Sequence, residues 1–238
     1  MPVDLLAPLR DAPEETALLF DVDGTLSPIA PRPELARVPP ETRAELARLA
    51  HSYLLVACIS GRAGDEAEAL VGVEGIRYVG NHGLELDERA AALAGLIAAF
   101  RDSVALPVED KGLSLSYHYR SAEDEQAARA ELEEVAERAR AKGLDPRWGR
   151  KVLEIRPPVE ADKGTAVQAL LASVPARCGL YAGDDTTDLD AFAGLAQAGL
   201  EHIVRIAVES EEGPGDLVAA ADLTVSGPDE LTRLLATL

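Results

Sequence analysis

The segment FDVDGTLS, residues 20–27, contains two aspartates directly after a short apolar run ends. An apolar run as short as residues 17–20, followed so soon by a Gly-Thr pair, predicts a buried strand that turns into a loop. Aspartate at the end of a buried strand is costly unless it is paired, hydrogen-bonded or bound to a metal ion. The competing interpretation of Asp21 and Asp23 is an ordinary turn, in which Asp and Gly only shape the backbone.

Alternating strand and helix patterns follow this segment. A proline-rich extended loop at 28–40 leads to a helix at 41–50, an apolar strand at 53–59, a helix at 63–71 and a short strand at 75–79. Strands that alternate with helices predict a parallel sheet with right-handed crossovers. The continuous apolar character of 53–59 indicates a strand covered on both faces, as is typical of parallel sheets.

The middle of the chain, residues 87–158, has a different pattern. Polar and apolar residues alternate cleanly at 113–120 and again at 152–156, whereas 88–102 and 122–142 have helical patterns. Clean alternation is typical of a sheet with one face on a core and the other face open. We therefore predict a separate small α+β unit inserted into the parallel fold.

The parallel pattern resumes in the last third of the chain. Its elements are predicted as a helix at 163–173, a strand at 178–182, a helix at 188–198, strands at 203–208 and 223–225, and a helix from 229. All these elements together predict an α/β fold, with a Rossmann-like parallel-sheet core formed by residues 1–86 and 159–238.

Acidic residues dominate the charge of the chain. The 238 residues include 23 Lys and Arg against 42 Asp and Glu, which gives a formal net charge of −19 at pH 7. This balance makes nucleic acids and anionic membranes poor partners. The two cysteines lie in apolar runs and are expected to be reduced thiols. No stretch approaches the roughly 18 apolar residues of a membrane span, and the first residues lack a signal-peptide pattern, so we expect a cytoplasmic protein.

Reactive side chains are concentrated where predicted strands end or helices begin. They are Asp21 and Asp23, Ser60, Lys163, and the trio Asp184, Asp185 and Asp188. In open parallel sheets, ligands bind beside the carboxyl ends of the strands, at the point where the strand order reverses. The sequence thus predicts one site built from distant segments.

These residue types suit the transfer of a phosphoryl group. Carboxylate oxygens are the hard ligands that Mg²⁺ prefers, so the aspartates predict a magnesium site. One carboxylate can attack phosphorus to form an acyl phosphate, and a second, two residues later, can protonate the leaving oxygen and then activate water. The Ser60 hydroxyl and the Lys163 ammonium can bind the phosphoryl oxygens as charge develops on them.

Four segments of the chain, in the same order, resemble the four motifs of the haloacid dehalogenase superfamily of phosphatases. The segments are Asp21-x-Asp23-Gly-Thr, Ser60-Gly-Arg, Lys163, and Gly183-Asp184-Asp185-x-x-Asp188. The resemblance implies a haloacid dehalogenase-like core. The insertion lies between the second and third motifs, where capped members of the superfamily carry an α/β cap, so residues 87–158 are expected to form a cap domain.

Further segments resemble the trehalose-6-phosphate phosphatases within that superfamily. They are Gly80-Asn81-His82-Gly83, Glu109-Asp110-Lys111-Gly112, His118-Tyr119-Arg120, Val152-Leu153-Glu154-Ile155-Arg156-Pro157, and Asp190-Ala191-Phe192 after the fourth motif. One departure is Leu189, where that family usually has Glu.

The resemblance implies a role for each residue of the core motifs. Asp21 would be the nucleophile and a Mg²⁺ ligand, Asp23 the general acid and base whose backbone carbonyl also binds the metal, and Asp184 the third protein ligand. Asp185 and Asp188 would support the metal shell and hold the lysine. Phosphate would be bound by Thr25, Ser60, Gly61 and Lys163.

The resemblance also implies a set of residues that bind the sugar. A Glu, a Lys and a Glu of the family's cap contact sugar hydroxyls, and they match Glu109, Lys111 and Glu154. The expected set further includes Asn81, His82, His118 and Arg120, the last two either as sugar contacts or as supports within the cap. For Arg62, the sequence leaves open whether the substrate or the cap is its partner.

The expected activity is Mg²⁺-dependent hydrolysis of trehalose 6-phosphate to trehalose and phosphate through a phospho-aspartate. Alternatives in the same superfamily are a phosphatase of another sugar phosphate (sucrose phosphate or mannosyl-3-phosphoglycerate) and a phosphosugar mutase. A sugar-phosphate sensor without catalysis is an alternative of another class. A trehalose-phosphate synthase acting in trans could be a partner.

Overall fold

The computed structural model describes residues 4–30, 32–149, 151–210 and 213–238. These ranges contain ten β-strands, which form two separate sheets. The strands are β1 (Thr16–Phe20), β2 (Leu55–Ile59), β3 (Arg77–Val79), β4 (Glu109–Asp110), β5 (Leu115–His118), β6 (Asp145–Gly149), β7 (Val152–Arg156), β8 (Cys178–Gly183), β9 (His202–Val208) and β10 (Leu223–Val225).

The same ranges contain ten α-helices and three short 3-10 helices. The α-helices are α1 (Ala7–Asp11), α2 (Pro40–Ser52), α3 (Gly64–Val71), α4 (Glu88–Ala92), α5 (Ala94–Asp102), α6 (Glu125–Ala141), α7 (Lys163–Ala172), α8 (Asp188–Gln197), α9 (Gly215–Ala220) and α10 (Pro228–Leu235). The 3-10 helices are Pro13–Glu15, Pro33–Leu35 and Asn81–Leu86. Among the described helices, none combines the length and the apolar composition that a membrane span requires.

The larger sheet has six strands in the order β10-β9-β8-β1-β2-β3. Every neighbouring pair in it is parallel, which confirms the predicted parallel α/β core. From β1 the chain moves outward to β2 and β3 on one side, and later continues from β8 to β10 on the other. The strand order therefore reverses between β1 and β8, which makes their carboxyl ends the switch point of the sheet.

Apolar side chains cover both faces of this sheet. Along β1, Leu18 and Phe20 pack into one core cluster, to which α2 and α10 contribute. Ala17 and Leu19 point to the opposite face and pack into a second cluster with α7 and α8. The strand is buried along its whole length, as the continuous apolar run predicted.

Residues Leu84–Glu160 form a second compact unit, and the segments before and after it form the first. In this inserted unit, strands β4-β5-β7-β6 make an antiparallel sheet, and the unit has its own apolar cluster. Tyr117 and Leu153 are buried in that cluster, whereas Glu109 and Glu154 belong to the opposite, polar face. The unit begins three residues before and ends two residues after the predicted range 87–158.

Several predicted elements differ from the structure. The single helix expected at 88–102 is two helices, because Leu93 leaves the helical conformation with φ −97° and ψ 0°. Strand β6 was not predicted, since its sequence contains Pro146. That proline is tolerated because β6 is an edge strand, where a missing N–H need not break the sheet. The proline-rich loop contains the short helix Pro33–Leu35, and α9 was also not predicted.

Candidate functional site

The site begins at the switch point of the parallel sheet. Asp21 directly follows β1, and its backbone N–H donates to the carbonyl oxygen of Ala182 on β8 at 2.9 Å. Asp184 directly follows β8, so parallel pairing of the two strands brings the two aspartates to one edge. Both side chains are buried there.

Lys163 and Asp188 are the first residues of α7 and α8. The start of α7 is defined by a capping box between Asp162 and Thr165. Helices α7 and α8 can approach closely because Gly194 lies against the backbone of α7, where an added Cβ would be 2.4 Å from a carbonyl oxygen. This local packing sets the two functional side chains side by side.

The Lys163 ammonium is the centre of a buried network. Its Nζ donates to Asp21 Oδ1 at 2.8 Å and to Asp188 Oδ1 at 2.7 Å. The lysine side chain is 3% exposed and the Asp188 side chain 0%. Lys163 therefore fixes the orientation of the Asp21 carboxylate from one side.

Asp188 uses both of its carboxylate oxygens within the protein. Oδ1 accepts from Lys163 and from the Tyr181 hydroxyl at 2.7 Å, and Oδ2 accepts from the backbone N–H groups of Asp184 and Asp185, each at 2.9 Å. Oxygens of Asp21, Asp184 and Asp188 lie within 4.8 Å of one another, close enough to hold a metal ion. Because four donors already occupy Asp188, the first two residues are the better metal ligands.

The charges of this cluster do not balance. Three buried carboxyl groups face one ammonium, so their fully ionised forms would carry two uncompensated negative charges. Burial, followed by the charge of Asp188, raises the pKa of Asp184 to about 7. Burial likewise raises the pKa of Asp21, although Lys163 opposes the rise. A divalent cation would neutralise the surplus charge, and oxygen donors suit Mg²⁺, so the residues fit the expected metal.

The lysine itself stays charged in this environment. Burial alone lowers the pKa of Lys163, but the carboxylates of Asp188 and Asp21 more than reverse this effect and raise the pKa above its ordinary value. The network is thus an ion pair with surplus carboxylates rather than a neutral hydrogen-bonded group.

The loop after β1 holds Asp184 in place. The Thr25 hydroxyl donates to Asp184 Oδ1 at 3.1 Å, so this hydroxyl contacts the predicted metal ligand. Gly24 has φ +90°, and a Cβ added to it would lie 2.0 Å from Asp184 Oδ2. Glycine is therefore required at this position both for the backbone and for the approach of the carboxylate.

Ser60 follows β2 and is buried next to β3. Its backbone N–H donates to Val79 O at 2.9 Å, and its Oγ accepts from the Arg62 N–H at 3.1 Å. The Asn81 and His82 N–H groups donate to the carbonyl oxygens of Arg62 and Ser60 at 2.7 and 2.9 Å. The predicted phosphate-binding segment is therefore held firmly by the segment after β3.

Asn81 and His82 both have left-handed backbone conformations, with φ +52° and +53°. The His82 ring packs against Gly61, where an added Cβ would be 2.7 Å from the imidazole. These contacts assign both residues a place beside the second motif. Sugar binding by either residue stays a prediction.

Asp23 differs from the other aspartates of the site because it forms a two-point ion pair at the surface. Arg62 donates from Nε to Asp23 Oδ2 at 2.6 Å and from Nη2 to Asp23 Oδ1 at 2.7 Å. Nη2 also donates to Pro33 O at 3.1 Å. The sequence left the partner of Arg62 open between substrate and cap, and the structure pairs it with Asp23.

Asp185 lies at the surface, and its carboxylate accepts from the Thr186 N–H at 2.7 Å. The lysine that it was expected to hold is bound by Asp188 and Asp21. The reason is geometric, because Asp188 is at the start of α8 and faces α7, whereas Asp185 is in the preceding turn.

In the inserted unit, the polar face of the sheet contains three of the predicted sugar-binding residues, Glu109, His118 and Glu154. Glu109 Oε2 and His118 Nε2 are 2.6 Å apart, and the Ser114 hydroxyl donates to Glu154 Oε1 at 3.1 Å. Lys111 Nζ lies 3.9 Å from the same Glu154 oxygen. The two groups lie on neighbouring strands, since Glu109 of β4 and Glu154 of β7 are both register partners of Ser116 on β5.

The alternating pattern predicted that Arg120 and His118 share a polar strand face, and the structure does not bear this out. Strand β5 ends at His118, and Arg120 is exposed in the following turn. Its expected role in sugar binding stays a prediction.

Tyr181 is the residue of the network that the sequence interpretation missed. It lies within β8, two residues before Gly183, and its hydroxyl reaches Asp188. The available signal was a hydroxyl inside an otherwise apolar strand, since a buried tyrosine needs a hydrogen-bond partner.

Comparison with known proteins identifies the family and the sequence relatives that this chain resembles. The family model described as trehalose-phosphatase matches residues 19–92 and 105–228. A trehalose-phosphate phosphatase from Mycolicibacterium paratuberculosis is 35% identical over 249 aligned positions, which include 92% of this chain. The chain spans 62% of the length of that relative.

Solved structures show the same fold. The trehalose-6-phosphate phosphatase of Aspergillus fumigatus is 25% identical, with a TM-score of 0.61 over 98% of this chain and 95% of that one. A haloacid dehalogenase-like hydrolase from Bacteroides thetaiotaomicron is 14% identical, with a TM-score of 0.59 over 93% of this chain and 98% of that one. The second likeness confirms the expected haloacid dehalogenase-like fold.

Proposed function

The chain belongs to the trehalose-phosphatase family, and we propose that it is a Mg²⁺-dependent phosphatase that hydrolyses trehalose 6-phosphate to trehalose and phosphate. The observation that carries the proposal is the buried cluster at the switch point of the sheet. There, a carboxylate oriented by a lysine lies among carboxylates whose surplus charge matches a divalent cation.

Asp21 is the proposed nucleophile. Lys163 orients its carboxylate, and Asp188, which four donors hold in place, orients Lys163. Mg²⁺, held by Asp21, Asp184 and the backbone carbonyl of Asp23, would supply the positive charge that keeps the nucleophile ionised and stabilises the developing phosphoryl charge. Lys163 and Ser60 would bind phosphoryl oxygens.

The proposed reaction has two steps, which share Asp23 as proton carrier. In the first, the Asp21 carboxylate bonds to phosphorus, the bond between phosphorus and the sugar oxygen breaks, and Asp23 gives its proton to that oxygen. In the second, Asp23 accepts a proton from water, the water oxygen bonds to phosphorus, and the bond to Asp21 breaks. Phosphate and the restored carboxylate result.

Sugar recognition is assigned to the polar face of the inserted unit. Glu109, Lys111 and Glu154 are the proposed contacts, because their charged groups can exchange hydrogen bonds within the protein for hydrogen bonds to sugar hydroxyls. A trehalose-phosphate synthase acting in trans would supply this substrate.

Phosphate release from a panel of sugar phosphates tests the proposal. The panel contains trehalose 6-phosphate, sucrose 6-phosphate, glucose 6-phosphate and mannosyl-3-phosphoglycerate, each with Mg²⁺ and with EDTA. We expect strong preference for trehalose 6-phosphate, no turnover in EDTA, and no turnover by Asp21→Asn. Phosphate release by Asp21→Asn would contradict the proposed nucleophile.

Other outcomes of the same assay select between the alternatives. Broad and weak turnover would retain the core chemistry and refute the assignment of Glu109, Lys111 and Glu154. An isomerised sugar phosphate, seen by NMR, would indicate a mutase. Tight binding of a sugar phosphate without turnover in Mg²⁺ would indicate a sensor.

A further inference from the structure

The ion pair between Asp23 and Arg62 has no role in the two steps described above. Asp23 is 40% exposed and Arg62 is 14% exposed in their side chains. A carboxylate that exposed would sample several rotamers without a partner. Two N–H groups of Arg62 instead donate to the two carboxylate oxygens of Asp23, at 2.6 and 2.7 Å. These hydrogen bonds fix the position and the plane of the Asp23 carboxylate.

Arg62 can impose this geometry because it is itself anchored on three sides. Its N–H donates to Ser60 Oγ and its carbonyl oxygen accepts from the Asn81 N–H. Its Nη2 additionally donates to Pro33 O at 3.1 Å, which ties the guanidinium to the proline-rich loop. Arg62 is thus held by the segments after β2 and β3, and through it Asp23, in the loop after β1, is held in one place.

A proton donor must lie within hydrogen-bond reach of the leaving oxygen, and small misplacements reduce the rate strongly. We propose that Arg62 is a positioning residue, which holds Asp23 where it can exchange a proton with the leaving oxygen of a phosphate ester. The inference rests on the proposed function, since it assigns Asp23 to proton transfer. The planar fork of arginine is essential to it, and the point charge of a lysine does not reproduce two parallel hydrogen bonds.

Because Arg62 acts through the proton donor, the rate that is lost on replacing Arg62 depends on the leaving group of the ester. A nitrophenolate leaves without a proton, whereas a sugar alkoxide needs one. Loss of Arg62 should therefore slow esters of alcohols more than esters of acidic phenols. A purely structural ion pair would slow all substrates equally.

The chain offers a matched control in the same unit. Arg205 donates from Nε and Nη2 to the two carboxylate oxygens of Asp222, at 3.0 and 2.8 Å. This pair has the same two-point geometry, it joins β9 to the residue before β10, and neither residue belongs to the four motifs. Arg205→Lys thus removes an equivalent pair of parallel hydrogen bonds, keeps the positive charge and leaves the contacts of Asp23 unchanged.

The experiment measures kcat/KM, which covers the steps up to loss of the leaving group, for p-nitrophenyl phosphate, phenyl phosphate and trehalose 6-phosphate. For Arg62→Lys we expect a loss of less than about 3-fold with the nitrophenyl ester, rising to roughly 10–100-fold with the sugar ester. Arg205→Lys should change kcat/KM by the same factor for all three substrates, without this gradient between leaving groups. In an Asp23→Asn background, Arg62→Lys should cause no further gradient.

Equal losses on all three substrates, or the same gradient in Arg205→Lys, would overturn the inference. If Arg62→Lys fails to fold by circular dichroism, Arg62→Gln, which keeps N–H donors without the fork, takes its place and carries the same expectation. If the wild type hydrolyses aryl phosphates but not trehalose 6-phosphate, the proposed substrate falls and the gradient between the aryl esters still tests Arg62. If the wild type hydrolyses no ester, both proposals fall.

Discussion

Two sets of charged side chains in this protein are built in opposite ways. In the core unit, Lys163 and Asp188 are 3% and 0% exposed and belong to one closed network. In the inserted unit, Glu109 and His118 are 27% and 52% exposed and pair with each other at the surface. The same kinds of side chain thus form a fixed centre in one unit and an open polar face in the other.

The difference in burial sets what each group can do. A buried ion pair cannot lose a partner without leaving an uncompensated charge, so the core network keeps one geometry. Exposed pairs contribute little to stability, because water already solvates each partner. They can therefore exchange partners for a ligand at small cost, which suits recognition rather than chemistry.

The largest expected difference between the two units is in the free energy of unfolding that is lost when a lysine of each unit is replaced. Lys163→Met leaves Asp21 and Asp188 buried without a cation, and we expect the free energy of unfolding to fall by about 3–5 kcal/mol. Lys151→Met, in the inserted unit, removes an ion pair to Glu125 in which the two side chains are 41% and 44% exposed, and it should cost at most about 1 kcal/mol. Urea unfolding at pH 7 measures both, and equal losses would contradict the contrast.

Glycines with left-handed backbones provide the next test. Gly24 and Gly112 have φ +90° and +75°, but an added Cβ would be 2.0 Å from Asp184 in the first case and would meet no atom within 4 Å in the second. Gly112→Ala should cost about 1 kcal/mol from backbone strain, and Gly24→Ala about 2–3 kcal/mol, with displacement of Asp184.

Calorimetric titration with Mg²⁺ separates strain from displacement. We expect Gly24→Ala to weaken Mg²⁺ binding by more than about tenfold, since it displaces Asp184, the proposed metal ligand. Gly112→Ala should leave the affinity unchanged. Unchanged affinity in Gly24→Ala would show that Asp184 is not a metal ligand.

Two buried tyrosines sharpen the comparison further. The Tyr181 hydroxyl donates to Asp188, whereas the buried Tyr117 hydroxyl of the inserted unit has no hydrogen-bond partner within the described ranges. Tyr181→Phe should lower the free energy of unfolding by about 1.5 kcal/mol, and Tyr117→Phe by nearly zero. Thermal and urea unfolding of both variants check this, and the reverse order would be incompatible with the described network.

The dependence of stability on pH should have opposite signs in the two units. Burial raises the pKa of Asp184 to about 7, above its unfolded value of 3.8, so the metal-free fold binds a proton that the unfolded chain does not. The Asp184 carboxyl should therefore lower the stability of the metal-free fold as pH rises from about 4 to about 7, by at most about 1.4 kcal/mol per pH unit, and the raised pKa of Asp21 acts in the same direction. Burial also acts on Asp110, but the Gly112 N–H and Arg101 outweigh it and lower that pKa. The Asp110 carboxylate therefore stabilises the fold above its unfolded pKa of 3.8, and this stabilisation is lost as pH falls below that value.

Urea unfolding without metal at pH 5, 6, 7 and 8 measures this slope. Asp184→Asn should make this slope shallower, and Mg²⁺ should stabilise the wild type more at pH 8 than at pH 6, because the proposed metal site requires the deprotonated carboxylate. A rise in metal-free stability between pH 5 and pH 7 would contradict the predicted sign.

Local patterns in the sequence were enough to predict the parallel core and the half-open sheet of the middle segment. They succeeded because burial on both faces of a strand requires a continuous apolar run, and an open sheet requires alternation. Asp21, Lys163 and Asp184 could be assigned to one site because strand ends of a parallel sheet share an edge.

The partners of individual side chains could not be deduced in this way. That Arg62 pairs with Asp23, that Tyr181 reaches Asp188, and that Asp185 turns to the surface depend on which strands are neighbours and how helices α7 and α8 pack. Those relations join residues that are far apart in the chain, and they are set by packing of the whole sheet rather than by local periodicity. Burial, and with it the raised pKa of Asp184, follows from the same packing.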